Sequence, residues 1–309
     1  MEEIAPKTTR IDVDYLGKPK VIAACLLQGR GGPAIVDPGP ASALVTLRSK
    51  LGKLGLAVQD IDTILLTHIH LDHAGATGSL VKVNPRIRIY VHERGATHMV
   101  DPSKLLSSAQ RLYGDQMDRL WGEFLPVPAA NVCALTGGER LNIAGRQLEV
   151  VYTPGHAWHH VSYFEAATGL AFVGDTAGIR IANGRTILPI TPPPDIDPEA
   201  WAQSWQKIRE RKPERLFLTH FGPAGGVQEH LDELRERLEE WSVAVHESLN
   251  EGADDAERAA RFTEQVAAKL RERLSEQDTE RYVRGAAVDL CWYGLARYWR
   301  KREEVKVPA

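Results

Sequence analysis

Short apolar runs bounded by turn residues fill the first two-thirds of the chain, and longer helical stripes fill the last third. Val21–Leu27 and Ala34–Asp37 are apolar runs separated by Gly29, Arg30, Gly31 and Gly32, the pattern of two strands with a hairpin-type connection. Asp37-Pro38-Gly39-Pro40 stops the second run. Ala41 to Leu54 then suits a helix, with Leu44, Leu47, Leu51 and Leu54 on one face. Ile61–Leu66, Ile87–Val91, Leu148–Tyr152, Val161–Phe164, Leu170–Val173 and Leu216–Leu218 read as further strands. Ser103 to Trp121 reads as one helix with Ser103 as its N-cap, and Asp197 caps another that has Pro198 at its first position. Strands mixed with helices in this way predict a layered α/β domain.

The pattern changes after Gly225-Gly226. Leu231, Leu234, Leu238 and Trp241 form one helical stripe, and Val266, Leu270 and Leu274 form another. Tyr282, Ala286, Leu290, Tyr293 and Trp299 follow among charged residues. The expected organisation is a main α/β domain over residues 1–225 and a helical C-terminal extension over 226–309.

Composition narrows the function classes. The 309 residues are 43% hydrophobic and 26% charged, as in an ordinary globular protein. A formal net charge of −3 argues against a dedicated nucleic-acid binder. Cys25, Cys133 and Cys291 are odd in number and form no CxxC pair, so buried free thiols in a reducing compartment are expected. The opening residues lack a basic start and apolar stretch, and Val21–Leu27 is too short to span a bilayer. The expectation is a cytoplasmic protein with no membrane partner.

The chemistry concentrates in Thr67-His68-Ile69-His70-Leu71-Asp72-His73, directly after a predicted strand. Imidazole and carboxylate are the ligands that zinc and similar ions prefer, and on a tight loop they can diverge toward two neighbouring ions. His156, Asp175 and His220 each follow the end of an apolar run, where α/β sheets place their sites.

This set, His68-x-His70-x-Asp72-His73 followed by His156, Asp175 and His220, resembles the metallo-β-lactamase-fold superfamily. Thr153-Pro154-Gly155-His156 and Gly174-Asp175 resemble its glyoxalase II-like branch, and the resemblance covers roughly residues 10–225. It implies an αββα sandwich with the site at one edge. It also implies that His68, His70 and His156 hold one metal, that Asp72, His73 and His220 hold a second, and that Asp175 bridges them. Asp37 matches an acidic position near the site that does not ligate metal. Two divalent ions, zinc foremost with iron or manganese compatible, would activate a metal-bound hydroxide at about neutral pH. Asp72 and Asp175 are the catalytic candidates.

The resemblance implies a hydrolase of a carboxylic ester, thioester or lactone, acting on a small molecule. Alternatives on the same fold are a mononuclear iron persulfide dioxygenase-like redox enzyme, a β-lactamase and a phosphodiesterase. Candidates for the substrate pocket are Trp158 and His159 beside His156, Arg180 after Asp175, and Tyr113 and Trp121 on the Ser103–Trp121 segment. His159 reads either as a hydrogen-bond donor to an oxyanion or as a packing residue. The stiff Thr191-Pro192-Pro193-Pro194-Asp195 loop reads as a pocket wall or as a plain connector. The aromatic end of the chain, with Trp292, Tyr293, Tyr298 and Trp299, reads as a homodimer surface or as an internal packing face.

Overall fold

The computed structural model describes residues 1–181 and 186–306, and its strands form two sheets packed face to face. The first sheet has seven strands in chain order: β1 (Glu2–Ala5), β2 (Thr8–Asp12), β3 (Ala23–Leu27), β4 (Ala34–Val36), β5 (Thr63–Leu65), β6 (Arg88–His92) and β7 (Val132–Leu135). β1 to β4 pair antiparallel, and β4 to β7 pair parallel. The second sheet has six strands: β8 (Arg140–Ile143), β9 (Arg146–Tyr152), β10 (Val161–Glu165), β11 (Leu170–Phe172), β12 (Arg215–Leu218) and β13 (Gly222–Ala224). β8 to β11 pair antiparallel, β11 and β12 run parallel, and β13 returns antiparallel.

Period-two alternation builds the layers. In β3, Ala23, Cys25 and Leu27 face the second sheet, and Ala24 and Leu26 face the helices outside. In β12, Phe217 enters the inter-sheet core while Leu216 and Leu218 face the opposite helical layer. On the first sheet lie α1 (Leu44–Lys53), α2 (Leu71–Ala74), α3 (Thr77–Val83), α4 (Glu93–Val100), α5 (Ser103–Tyr113) and α6 (Met117–Trp121). On the second lie α7 (Pro198–Glu210), α8 (Val227–Ser248), α9 (Asp255–Arg271), α10 (Glu276–Gly285) and α11 (Val288–Lys306). The result is the expected αββα sandwich.

The C-terminal helices share one core with the second sheet. Leu231, Leu234, Leu238 and Trp241 of α8 join Trp201 and Trp205 of α7 and Val151, Phe164 and Ala171 of the sheet. Trp292 is fully buried and donates its indole N–H to Ser248 Oγ at 2.9 Å. Trp299 donates to the Ser242 carbonyl at 3.0 Å and stacks on His246. Both indole N–H groups therefore find their acceptors within the chain, Trp299 from a half-buried position. No helix among the described residues is long and apolar enough to cross a membrane.

Three expectations need correction. The Ser103–Trp121 segment is two helices, because Gly114 adopts φ 48° and ends α5 before α6 begins. Ser103 is the first residue inside α5 rather than its cap; its N–H donates to Asp101 Oδ1 at 3.1 Å. Cys25 and Cys291 are buried as expected, but Cys133 is only half-buried on the outer strand β7.

Candidate metal centre

The candidate residues lie at the ends of strands from both sheets. His68, His70, Asp72 and His73 occupy the turn between β5 and α2 and the start of α2. His156 sits between β9 and β10, Asp175 follows β11, and His220 lies between β12 and β13. Glycines make the close approach possible. Gly155 has φ 134°, and a Cβ there would fall 2.3 Å from Trp201 Cβ, so only glycine lets the His156 loop rest on α7. Gly174, at φ 47°, leaves space for Thr67 Oγ1 beneath Asp175.

The seven side chains converge as two sets. His68, His70 and His156 bring three ring nitrogens together, with His70 Nδ1 at 3.0 Å from His68 Nε2 and 2.9 Å from His156 Nε2. Asp72, His73, Asp175 and His220 form the other set. Asp175 divides its carboxylate between them. Its Oδ2 lies 3.4 Å from His156 Nε2 and 3.9 Å from His68 Nε2. Its Oδ1 lies 3.2 Å from His73 Nε2 and 3.5 Å from His220 Nε2.

The far ring nitrogens have fixed partners. Nδ1 of His156 is 2.8 Å from the Ile190 carbonyl, and that of His220 is 3.0 Å from the Val21 carbonyl. Nδ1 of His73 is 2.8 Å from Asp37 Oδ2, and that of His68 is 3.1 Å from Thr67 Oγ1. Each Nδ1–H donates outward, which leaves an Nε2 lone pair pointing inward. Asp37 is buried and accepts from Thr67 N–H and from the Thr67 and Thr219 hydroxyls as well.

Two observations test whether the site suits metal ions. His73 Nε2 and Asp175 Oδ1 are buried without a hydrogen-bond partner, a costly state unless a further group satisfies them. Protonation also favours a cation. Burial, and then His156, push His70 down to about 3, and burial foremost holds His68 and His156 below the ordinary range. Burial alone would depress His73, but Asp175, Asp72 and Asp37 raise it; His220 is raised by Asp175 and Asp72 in the same way. Burial works against ionising Asp72, but His73 and His220 hold it down at about 2, and Asp175 is held low by His73, His220 and His156. One set is neutral imidazole, and the other draws positive charge. Both match what divalent ions require of their ligands.

These donors open on a cavity of about 810 Å3. A model of the metallo-β-lactamase superfamily matches residues 17–220. The chain belongs to the metallo-β-lactamase superfamily.

Among its superfamily relatives is a metallo-β-lactamase fold-containing protein of Sulfurisphaera tokodaii, 28% identical over 72% of this chain and 81% of that protein. The hydroxyacylglutathione hydrolase of Aeromonas hydrophila is 32% identical over 46% of this chain and 41% of that enzyme. The chain thus spans under half the length of that hydrolase. A crystal structure of a metallo-β-lactamase family protein from Thermus thermophilus superposes with a TM-score of 0.73 at 23% identity, covering 99% of this chain and 96% of that one. That likeness is one of fold.

Within this superfamily scaffold, His159, Tyr113 and Trp121 line the cavity, and so do Pro192, Pro193, Pro194 and Asp195 of the proline-rich loop. Two other pocket candidates lie elsewhere. Trp158 is 36% exposed beneath Arg94, because the turn after His156 points it outward, and it does not line the cavity. Arg180 also lies off the cavity; its backbone N–H donates to the His220 carbonyl at 2.5 Å, and its charge reaches His230 and Tyr282 instead.

The sequence reading missed several residues. His160 Nε2 accepts from Asp175 N–H at 3.3 Å, which steadies the shared carboxylate. His98, Tyr15 and Lys18 line the cavity, and so do Arg281, Arg284 and Asp289 around the α10–α11 junction. Nothing in local sequence marks these; tertiary packing brings them to the cavity, that of the last helices in the case of Arg281, Arg284 and Asp289.

Proposed function

We propose that the chain is a dinuclear metallohydrolase that cleaves a carboxylic ester, thioester or lactone. The observation that carries this reading is the division of the Asp175 oxygens between two complete donor sets. His68, His70 and His156 would hold one ion, Asp72, His73 and His220 the other, and Asp175 would serve both. Zinc suits these nitrogen and oxygen donors, and iron or manganese would be compatible. When bound, such ions polarise a substrate carbonyl and bring the pKa of water to about 7.

The protein's own residues supply the remainder. Asp37 and the Ile190 and Val21 carbonyls keep imidazole lone pairs aimed inward. His159 lines the cavity and meets His70 edge-on with ring centroids 5.4 Å apart, so it shares the cavity wall with the donors. Ile69, Leu71 and Ile190 limit water around the donors. The presence of Asp72, His73 and His220 supports two ions over a mononuclear iron oxygenase, and the hydroxyacylglutathione hydrolase relatives support a thioester or a related acyl bond.

The test is elemental analysis of the purified chain beside hydrolysis assays with thioesters, lactones, aryl esters, a β-lactam and an aryl phosphodiester. Two ions per chain and metal-dependent acyl hydrolysis are expected. Asp175→Ala should abolish turnover and lower metal content. Unaltered turnover in that variant overturns the reading.

A further inference from the structure

The cavity is divided by polarity. Toward α5 and α6 its wall is apolar, with Leu105, Ala109, Leu112 and Leu120, and Val283 and Leu290 continue it from the C-terminal helices. All six are buried or half-buried. The charged lining residues outside the donor set have a different distribution. Lys18, Lys104, Arg119 and Arg284 are exposed and Arg281 is half-exposed, which puts five cations around the mouth. The only carboxylates among the described lining residues beyond Asp72 and Asp175 are Asp195 and Asp289. Lys18, Lys104 and Arg284 form no ion pair among the described residues, and Arg281 reaches Asp278 only at 3.7 Å. This excess belongs to a chain whose formal net charge is −3, so it is local and is not a reflection of overall composition.

We infer that the substrate is an apolar acyl group carried on a polyanionic thiol or alcohol. This rests on the hydrolase reading above and names its substrate class. The acyl group occupies the interior against α5 and α6, its carbonyl lies at the donor set, and the anionic carrier lies across the cations of the mouth. At about 810 Å3 the cavity is in the upper part of the usual range for small-molecule sites, and an acetyl-sized acyl group would leave most of its apolar wall uncovered. In the reaction, water oxygen bonds to the carbonyl carbon and the carbon–sulfur or carbon–oxygen bond to the carrier breaks. The carrier leaves with a proton and the acyl group leaves as a carboxylate with release of a second proton. No oxidant or reductant takes part.

Zinc-loaded full-length protein is assayed with acyl-coenzyme A thioesters from acetyl to decanoyl, with S-acylglutathiones, and with uncharged N-acetylcysteamine thioesters of the same acyl groups. We expect kcat/KM to rise about two- to fourfold per methylene until the apolar wall is covered. For one acyl group, the charged carriers should be preferred by about tenfold or more, and raised salt should erode that preference. A larger preference for coenzyme A assigns the mouth to phosphate, and a larger preference for glutathione assigns it to carboxylate. Arg284→Glu and Lys104→Glu, both at exposed positions, should each reduce the charged-over-neutral preference, and Leu112→Ala should flatten the chain-length trend.

Hydrolysis with neither a chain-length trend nor a carrier preference overturns the inference and leaves the hydrolase reading intact. If no thioester is cleaved, calorimetry with non-cleavable S-alkyl coenzyme A thioethers decides. Binding that tightens with alkyl length and weakens in Arg284→Glu supports the substrate class apart from turnover. Absence of binding overturns it.

Discussion

Asp37 accepts four hydrogen bonds, from Thr67 N–H, the Thr67 and Thr219 hydroxyls and His73 Nδ1, at 2.7 to 2.8 Å. It touches the donor set only through His73, yet it fixes the ring whose Nε2 faces Asp175. Asp37→Asn would turn one acceptor oxygen into a donor against partners that already donate. We expect metal affinity to fall by about 10- to 100-fold, measured by chelator competition. His230 offers a different test. Burial depresses its pKa although the Ala177 carbonyl accepts its Nε2–H at 2.8 Å, and its Nδ1 is buried without a partner. With the folded value below the unfolded one, the fold resists protonation. Its contribution is complete above about pH 6.5 and is lost as pH falls toward the folded value. The loss from one such histidine is at most about 1.4 kcal/mol per pH unit. His230→Gln should make the acid limb of urea-denaturation stability shallower. The donor set itself was legible from sequence, because strand ends with dense histidine and aspartate have few structural explanations. Asp37 was legible only through the family resemblance, and nothing in the sequence around His160 marks its contact with Asp175.

Between elements, a largely buried ion pair inside the second sheet also reaches across to the first. Arg146 on β9 donates its Nε–H to Glu165 Oε1 on β10 at 2.6 Å, pairs with the other Glu165 oxygen, and reaches Thr8 Oγ1 on β2 at 2.7 Å. Glu165→Ala leaves a largely buried guanidinium without its counter-charge, so we expect a loss of about 3–5 kcal/mol in urea unfolding. The strands in this region also show why sequence pattern failed locally. β8 alternates exposed Arg140 and Asn142 with half-buried Leu141 and buried Ile143 at a sheet edge, β1 opens with two exposed glutamates, and β2 buries Thr8 and Thr9. None presents the continuous apolar run that marked β3, β10 or β12. The long helix expected over 103–121 failed for a related reason. Its periodicity is sound on both sides of Gly114, and periodicity alone does not register a change of direction at one glycine.

Over the whole molecule, the last helices are part of the fold's main core. α8, α9 and α11 bury Trp241, Phe262 and Trp292 in the same cluster as Trp201 and Trp205. Thr191, between the cavity-lining Ile190 and Pro192, donates its N–H to Cys291 Sγ at 3.2 Å and its hydroxyl to the Cys291 carbonyl at 3.1 Å. A chain ending at residue 225 should therefore expose a wide apolar face. We expect it to aggregate or to lack a cooperative unfolding transition, as judged by near-ultraviolet circular dichroism and size-exclusion chromatography. The amino-acid pattern located these helices but gave no hint that the turn between α10 and α11 closes the cavity, since that depends on how four helices stack.

Each donor set draws on both halves of the sandwich: His68, His70, Asp72 and His73 hang from the first sheet, and His156, Asp175 and His220 from the second. Ions held there would act as rivets through two plates whose remaining attachments at that rim include the Tyr163 hydroxyl on the Leu66 carbonyl and the Ala23 N–H on the Thr219 carbonyl. Stripping them with a chelator should cost about 4 kcal/mol where free metal had stood a thousandfold above its dissociation constant. Differential scanning calorimetry should then show the melting point drop, and native-state hydrogen exchange should show this rim fraying before the opposite one.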